Sequence, residues 1–165
     1  MKKAFSLLLA LLLTAALAAC GGKNEPQNTN NGESKDTGKT VDVAALAAEL
    51  AEKVKFESGE MKDLSDKMDL VFDLPEGTQG AYYRGDGETK EEIITARCAS
   101  EKDAAALKSM LETQVADLLA DAQRYQPDAV PRLENPVLIQ KGVYVALCIT
   151  DDADTAEQII KGYLG

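Results

Sequence analysis

The chain has 165 residues, of which 45% are hydrophobic and 28% charged, and its formal net charge is -10. A charge of this sign repels a phosphate backbone, so we expect no binding of nucleic acid. The sequence also contains no His, which is the commonest general acid or base near neutral pH and the commonest metal ligand. No cofactor or metal site is therefore predicted.

Hydrophobic residues divide the chain into three zones. They make up 16 of residues 1–20, none of residues 21–40 and 58 of the 125 residues from 41 to 165. The last zone has the usual size of one domain with one core. The predicted organisation is a signal peptide over 1–19, a linker over 20–40 and a folded domain over 41–165.

The N-terminus has the pattern of a secretory signal. Met1 is followed by two lysines, and then by an uncharged run from Ala4 to Ala19 that contains seven leucines. Sixteen residues of helix span roughly 24 Å, which is shorter than the ~30 Å hydrocarbon core of a bilayer. The run therefore indicates a cleaved signal rather than a permanent membrane span.

The residues that follow this run resemble the lipobox of bacterial lipoprotein precursors. Leu17, Ala18, Ala19 and Cys20 occupy its four positions. The resemblance implies cleavage between Ala19 and Cys20 and attachment of a diacylglyceryl group to the Cys20 thiol. Two acyl chains make a durable anchor, so the protein would stay on the extracytoplasmic face of the cell membrane. The alternative is an ordinary signal peptide with an incidental cysteine.

Residues 20–40 predict a disordered linker that carries the lipidated Cys20 at its start. The segment is rich in Asn, Gly, Thr and charged residues, and nothing after Cys20 in it is able to join a core. As a flexible coil it would reach roughly 25 Å. The folded domain would therefore stand clear of the lipid headgroups.

The domain alternates predicted helices with pairs of predicted strands. Apolar residues recur every three or four positions in three stretches, which indicates helices, and strand-type runs flank two short turns. Asp42 and Ser100 are predicted N-caps, and Pro127 ends the long helix. The predicted order is a helix over 42–55, strands over 80–84 and 92–99, a helix over 100–122, strands over 137–139 and 143–149, and a helix from 151. Residues 61–74 are ambiguous between a short helix and a helix that leads into an extended segment before Pro75.

This order predicts an α+β fold. We expect a single domain in which an antiparallel sheet built from two β-hairpins packs against a long helix, with flanking N- and C-terminal helices. Ile94, Ala96 and Cys98 should share one face of their strand, because alternate strand residues point the same way. The loop after the long helix contains three prolines and is predicted to be irregular.

Several of these features together resemble a known family. They are the lipobox, the hairpin before a long helix, the Tyr125-x-Pro127 helix exit and the Gly142-x-Tyr144 hairpin. Together they resemble the Firmicutes lipoproteins grouped as domain of unknown function 4358. The resemblance covers residues 41–165 and implies a Gram-positive cell envelope. It implies no catalytic or binding residue.

Cys98 and Cys148 are the thiols that remain if Cys20 is lipidated. Both lie on predicted strands, and we expect two small buried hydrophobic side chains. A disulfide is the alternative, since the domain would be exported. No His is present to activate either sulfur, which argues against a thiol nucleophile.

Acidic residues offer two further candidates for chemistry. Asp151, Asp152, Asp154 and Glu157 form a dense group that suits a hard cation, although helix-start electrostatics explains it as well. The second candidate is a pair of carboxylates for glycoside hydrolysis, drawn from Asp86, Glu91 and Glu92 near the first hairpin. The charged run 88–92 is otherwise expected to lie in solvent.

The sequence thus favours the first of three functions and leaves the other two as alternatives. The first is a lipid-anchored, non-catalytic binding module whose partner is an envelope protein, a wall polymer or a small solute. The second is an envelope hydrolase with paired carboxylates, and the third is a structural spacer without a ligand. No catalytic residue is assigned, and the residues predicted to be modified or cleaved are Ala19 and Cys20.

Overall fold

The computed structural model describes residues 40–165. The predicted signal peptide over 1–19, including Ala19, lies outside the described residues. So do the predicted lipidation site Cys20 and the linker up to residue 39.

The described residues form an antiparallel sheet and five α-helices. The sequence-based prediction of an α+β domain is confirmed, with the long helix on one side of the sheet and the N- and C-terminal helices on the other. The helices are α1 (Val43–Lys53), α2 (Met68–Val71), α3 (Glu101–Tyr125), α4 (Val130–Glu134) and α5 (Ala153–Leu164), and the strands are β1 (Lys62–Asp63), β2 (Gln79–Arg84), β3 (Glu92–Arg97), β4 (Val137–Lys141) and β5 (Tyr144–Ile149).

The sheet joins the two predicted hairpins along their inner strands. Its order is β1-β2-β3-β5-β4, with every neighbouring pair antiparallel. The second hairpin turns at Gly142, whose φ of +55° is a conformation that glycine adopts at little cost. The central strands β3 and β5 are buried on both faces, which explains the continuous apolar run of β5.

Each face of the sheet has its own core. On the α3 face, Ile94 and Ala96 of β3 pack with Leu107 and Leu111 of α3. On the α1/α5 face, Ile93 packs with residues from α1 and α5, such as Leu50 and Ile160. Burial of a leucine side chain contributes about 1.5–3 kcal/mol to folding, so both helical layers stabilise the sheet.

The helix boundaries follow the predicted caps. The Ala45 amide donates to the Asp42 carboxylate, and the Asp103 amide donates to the Ser100 hydroxyl. The loop after α3 differs from the prediction, because Pro127–Ala129 forms a 3-10 helix that leads into α4. Proline suits the first turn of a helix, since its missing N–H has no partner there in any case.

The ambiguous segment 61–74 contains a short helix, as the sequence predicted, but a strand that the sequence did not predict precedes it. It starts with the edge strand β1, continues through a 3-10 helix at Ser65–Lys67 and ends in the short helix α2. Met68 lies against Gly80 of β2, where an added Cβ would be 2.7 Å from the Thr95 carbonyl oxygen and 2.9 Å from the Met68 sulfur. The absence of a side chain at Gly80 thus lets α2 lie close to the sheet.

Candidate functional site

The charged run 88–92 contains two buried carboxylates, which corrects the expectation that the whole run lies in solvent. Glu91 is 1% exposed and Glu92 is 3% exposed. Burial of an ionised carboxylate is costly unless donors or cations satisfy it. Their surroundings therefore decide what each residue does.

Glu91 and Glu92 point in opposite directions because they are consecutive residues of extended chain, with Glu91 directly before β3 and Glu92 at its start. Glu91 contacts Ser58, in the loop after α1. Glu92 contacts Gln114 of α3. The third candidate, Asp86, caps its own turn by accepting from the amides of Glu88 and Thr89. The structure therefore does not bring these three carboxylates together as a hydrolytic pair.

Arg132 lies at the centre of the first arrangement, which we call the Arg132 cluster: Arg132, Glu57, Glu91 and Asp151. The guanidinium is almost fully buried, and its Nη2 pairs with Glu57 and, at 2.8 Å, with Asp151. Its Nη1 lies 3.4 Å from Glu91. Burial alone would lower the pKa of Arg132, but the three carboxylates outweigh it and raise that pKa.

Glu91 also accepts three hydrogen bonds from one loop. The donors are the amide of Glu57 at 2.8 Å, the amide of Ser58 at 2.9 Å and the Ser58 hydroxyl at 2.7 Å. The Arg132 cluster thus ties together the loop after α1, the β2–β3 hairpin, α4 and the start of α5. With its acceptors occupied, Glu91 is a structural residue rather than an acid or base for a substrate.

Glu92 has fewer and longer contacts on the α3 face. It accepts from the Gln114 amide at 2.8 Å and from the Tyr82 hydroxyl at 3.4 Å, and its nearest cationic atom is Arg84 Nε at 3.6 Å. Burial raises the pKa of Glu92, and the contacts with Arg84, Tyr82 and Gln114 oppose that rise only in part. Burial and the Glu92 charge also raise the pKa of Tyr82 to about 12.

A groove opens between α2 and α3, beside the Glu92 contacts. We call it the acidic groove, and its volume is about 610 Å³. Its wall on the α2 side consists of Val71, Phe72 and Asp73, and Gln114 in the opposite wall contacts Glu92. The wall on the α3 side is formed by Met110, Thr113, Gln114, Asp117, Leu118 and Asp121.

Three members of the acidic group at the start of α5 are engaged in protein contacts. Asp151 pairs with Arg132, and Glu157 pairs with Lys161 at 2.8 Å. The Thr155 hydroxyl and the Lys55 amide lower the pKa of Asp152 by hydrogen bonding. Within residues 40–165, no group of three or more acidic or Cys side chains is placed to hold a metal ion.

Cys98 and Cys148 are both buried and free, which confirms the prediction of two small core residues. Cys148 pairs in register with Ile93, five residues before Cys98, so the two positions are about 17 Å apart along the sheet. A disulfide requires Cα atoms within about 7 Å. Burial raises the pKa of both thiols, which makes them poor nucleophiles.

The sequence reasoning missed Arg132 and the acidic groove. Arg132 occurs in a proline-rich stretch that was expected to be an irregular loop, so no periodicity indicated its burial. The α3 side of the groove does have a signal in the sequence. Helical spacing places Met110, Gln114, Asp117 and Asp121 on one face of α3, beside its apolar stripe. The position of α2 opposite that stripe depends on tertiary packing.

Comparison with known proteins finds a matching family. The family described as domain of unknown function (DUF4358) matches residues 52–150, which include β1 to β5 and α2 to α4. No curated protein and no solved structure matches the chain significantly. Among the helices of residues 40–165, none is long and apolar enough to cross a bilayer.

Proposed function

We propose that this chain, which belongs to the family described as domain of unknown function (DUF4358), is a lipid-anchored, non-catalytic binding module. In this proposal, Cys20 carries the lipid and the protein lies on the extracytoplasmic face of the membrane. The domain then binds a partner through the acidic groove. The description of the family names no function, so the support comes from the residues themselves.

The acidic groove is the observation that carries the binding role. Its lining combines the apolar residues Phe72, Met110 and Leu118 with carboxylates. The groove lies beside Leu70, which at 84% is the most exposed large hydrophobic residue of the described region. Exposed apolar surface that is rimmed by polar residues is typical of interaction sites. Since Glu91 is saturated with donors and Glu92 lies on the opposite face, this arrangement favours binding over hydrolysis.

The sequence pattern supports the anchor. A basic start, an apolar run and the four lipobox residues end at Cys20. We expect the mature protein to begin at Cys20, to carry the mass of a diacylglyceryl group and to sediment with membranes. The Cys20→Ser variant should remain unacylated and retain Met1. A wild-type protein that begins at Met1, lacks lipid and occurs in the cytosol would overturn the anchor.

In-cell crosslinking tests the binding role separately from the anchor. A photoreactive amino acid replaces Val71 in the groove wall of the tagged full chain, and a control carries it at Glu52, an exposed position on α1. A single envelope protein captured from position 71 and absent from position 52 supports the proposal. Identical products from both positions, or none from position 71, would favour a spacer.

A further inference from the structure

The α3 side of the acidic groove is one continuous stripe of a helix. Its residues run from Met110 to Asp121 at spacings of three and four, so they share one face of α3. Eleven residues of rise correspond to about 17 Å. The groove is therefore long enough for about three turns of a second helix lying along α3.

The groove and its border are apolar where a docked helix would touch them. Phe72, Met110 and Leu118 contribute to the lining, and Phe72 packs edge-on against the buried Tyr82 ring. Val71 is 56% exposed and Leu70 is 84% exposed on the short α2. An apolar side chain placed here would cover surface that now faces water.

The charged residues that line the groove are all acidic. Asp121 has Lys90 as a partner at 3.1 Å. For Asp73 and Asp117, no Lys or Arg among residues 40–165 forms an ion pair, since the eight pairs of this region involve other carboxylates. The groove therefore repels anionic surfaces and favours a partner with cationic side chains.

Gln114 links the wall of the groove to the buried Glu92. Its amide nitrogen donates to Glu92 at 2.8 Å, which orients the side chain. Its carbonyl oxygen is buried and has no hydrogen-bond partner in the described part of the chain. A buried acceptor without a partner is costly, and because this oxygen is shielded from solvent, a docked side chain reaches it only if the Gln114 side chain moves.

We infer that the acidic groove binds an amphipathic helix of a partner protein, with its apolar face on Phe72, Met110 and Leu118 and its Lys or Arg residues beside Asp73 and Asp117. This inference rests on the proposed binding role and names the chemistry of the partner. The apolar lining of the groove requires an apolar face on that helix, and the length of the stripe corresponds to about three helical turns. The uncompensated carboxylates favour Lys or Arg on the partner.

The test uses three synthetic peptides of roughly 18 residues, about five helical turns. One has leucines on one face and lysines on the other, the second is a scrambled Leu/Lys sequence without an apolar face, and the third replaces Lys with Glu. The full chain is reconstituted in zwitterionic nanodiscs, with empty nanodiscs as the blank. Fluorescence anisotropy should show saturable binding of the first peptide alone, weakening as salt increases.

Charge-reversal variants locate the binding site. The double variant that combines Asp73→Lys and Asp117→Lys should bind the Leu/Lys helix about tenfold more weakly, because two attractive contacts become repulsive. Glu52→Lys with Glu60→Lys is the matched control, since it changes the net charge equally at exposed positions outside the groove. The control should bind within about twofold of the wild type. Both double variants should keep the helical circular dichroism of the wild type.

Three outcomes would overturn the inference. They are absence of saturable binding, tighter binding of the scrambled or Glu peptide, and equal weakening by both double variants, which would indicate non-specific attraction to a chain of net charge -10. These outcomes are distinct from failure of the proposed function. Capture in cells of a partner segment without Lys or Arg from position 71 would keep the binding module and reject the cationic helix.

Discussion

Glu91 and Glu92 are neighbours in the chain, yet they belong to regions with different roles. Glu91 accepts three hydrogen bonds from the loop after α1 and faces the buried Arg132. Glu92 has one short hydrogen bond, to Gln114, and lies beneath the acidic groove. The comparison shows that acidic residues in this fold hold the chain together on one face and leave a surface available on the other.

The Arg132 cluster should dominate the stability of the domain. Arg132→Met removes the buried cation and leaves Glu91 buried without it, so we expect the free energy of unfolding to fall by about 3–5 kcal/mol. Denaturant unfolding of residues 40–165, followed by circular dichroism, measures the change. Lys161→Met is the control, because its pair with Glu157 is exposed and should contribute no more than about 0.5 kcal/mol. Equal midpoints for the two variants would contradict a structural role for the cluster.

Matched Glu→Gln variants compare the two neighbours directly. Glu91→Gln should lower the free energy of unfolding by about 1–3 kcal/mol at neutral pH, because three donors lose a charged acceptor. Glu92→Gln should not destabilise the domain at neutral pH, since it removes a buried carboxyl whose pKa is raised by burial.

The pH dependence gives the sign of the Glu92 effect. The native state binds the Glu92 proton more tightly than the unfolded chain does, because the pKa of the folded carboxyl is raised. Protonated Glu92 therefore contributes its full stabilisation below the ordinary pKa of a glutamate carboxyl. This stabilisation is lost as the pH rises through the raised pKa of the folded state. The free energy of unfolding of Glu92→Gln should equal that of the wild type in acid and should exceed it as the pH approaches neutrality. A constant difference across this range would contradict the assignment.

Gly80 tests whether the packing of α2 on the sheet forms the groove. Gly80→Ala places a Cβ closer than van der Waals contact to the Thr95 carbonyl oxygen and to the Met68 sulfur. We therefore expect the free energy of unfolding to fall by about 1–3 kcal/mol and the Leu/Lys helix to bind more weakly. Gly162→Ala is the control, because nothing lies within 4 Å of the new Cβ and alanine favours the α5 helix. If both variants bind the helix equally well, the groove does not depend on the position of α2.

The smallest expected effect is that of reductant on the two buried thiols. Thiol labelling of the denatured, unreduced domain should find Cys98 and Cys148 both free, one on each side of the sheet. The amount of label should not change when the protein is reduced first. Thiols that appear only after reduction would contradict the register of β3 and β5.

The sequence allowed the scaffold to be predicted more fully than the site. Periodicity and caps located α1, α3 and α5, because Asp42 and Ser100 mark helix starts through local hydrogen bonds. Burial of Glu91 and Arg132 arises from partners far away in the chain, such as Glu57 and Asp151. Local sequence patterns do not indicate such contacts, so they do not distinguish the buried Glu91 and Glu92 from the exposed Glu88 of the same run. Similarly, the acidic groove depends on α2, whose sequence left its structure ambiguous.

Carboxyl footprinting by carbodiimide labelling and mass spectrometry tests the central claim most directly, because it compares both regions in one protein. In the purified full chain, Asp73 and Asp117 should react and Glu91 should not, since Glu91 is 1% exposed. In native envelopes the account predicts that a bound partner protects Asp73 and Asp117, while Glu52 and Glu60 react as before. Equal labelling of the groove carboxylates in both samples, or protection at Glu52 and Glu60 instead, would contradict it.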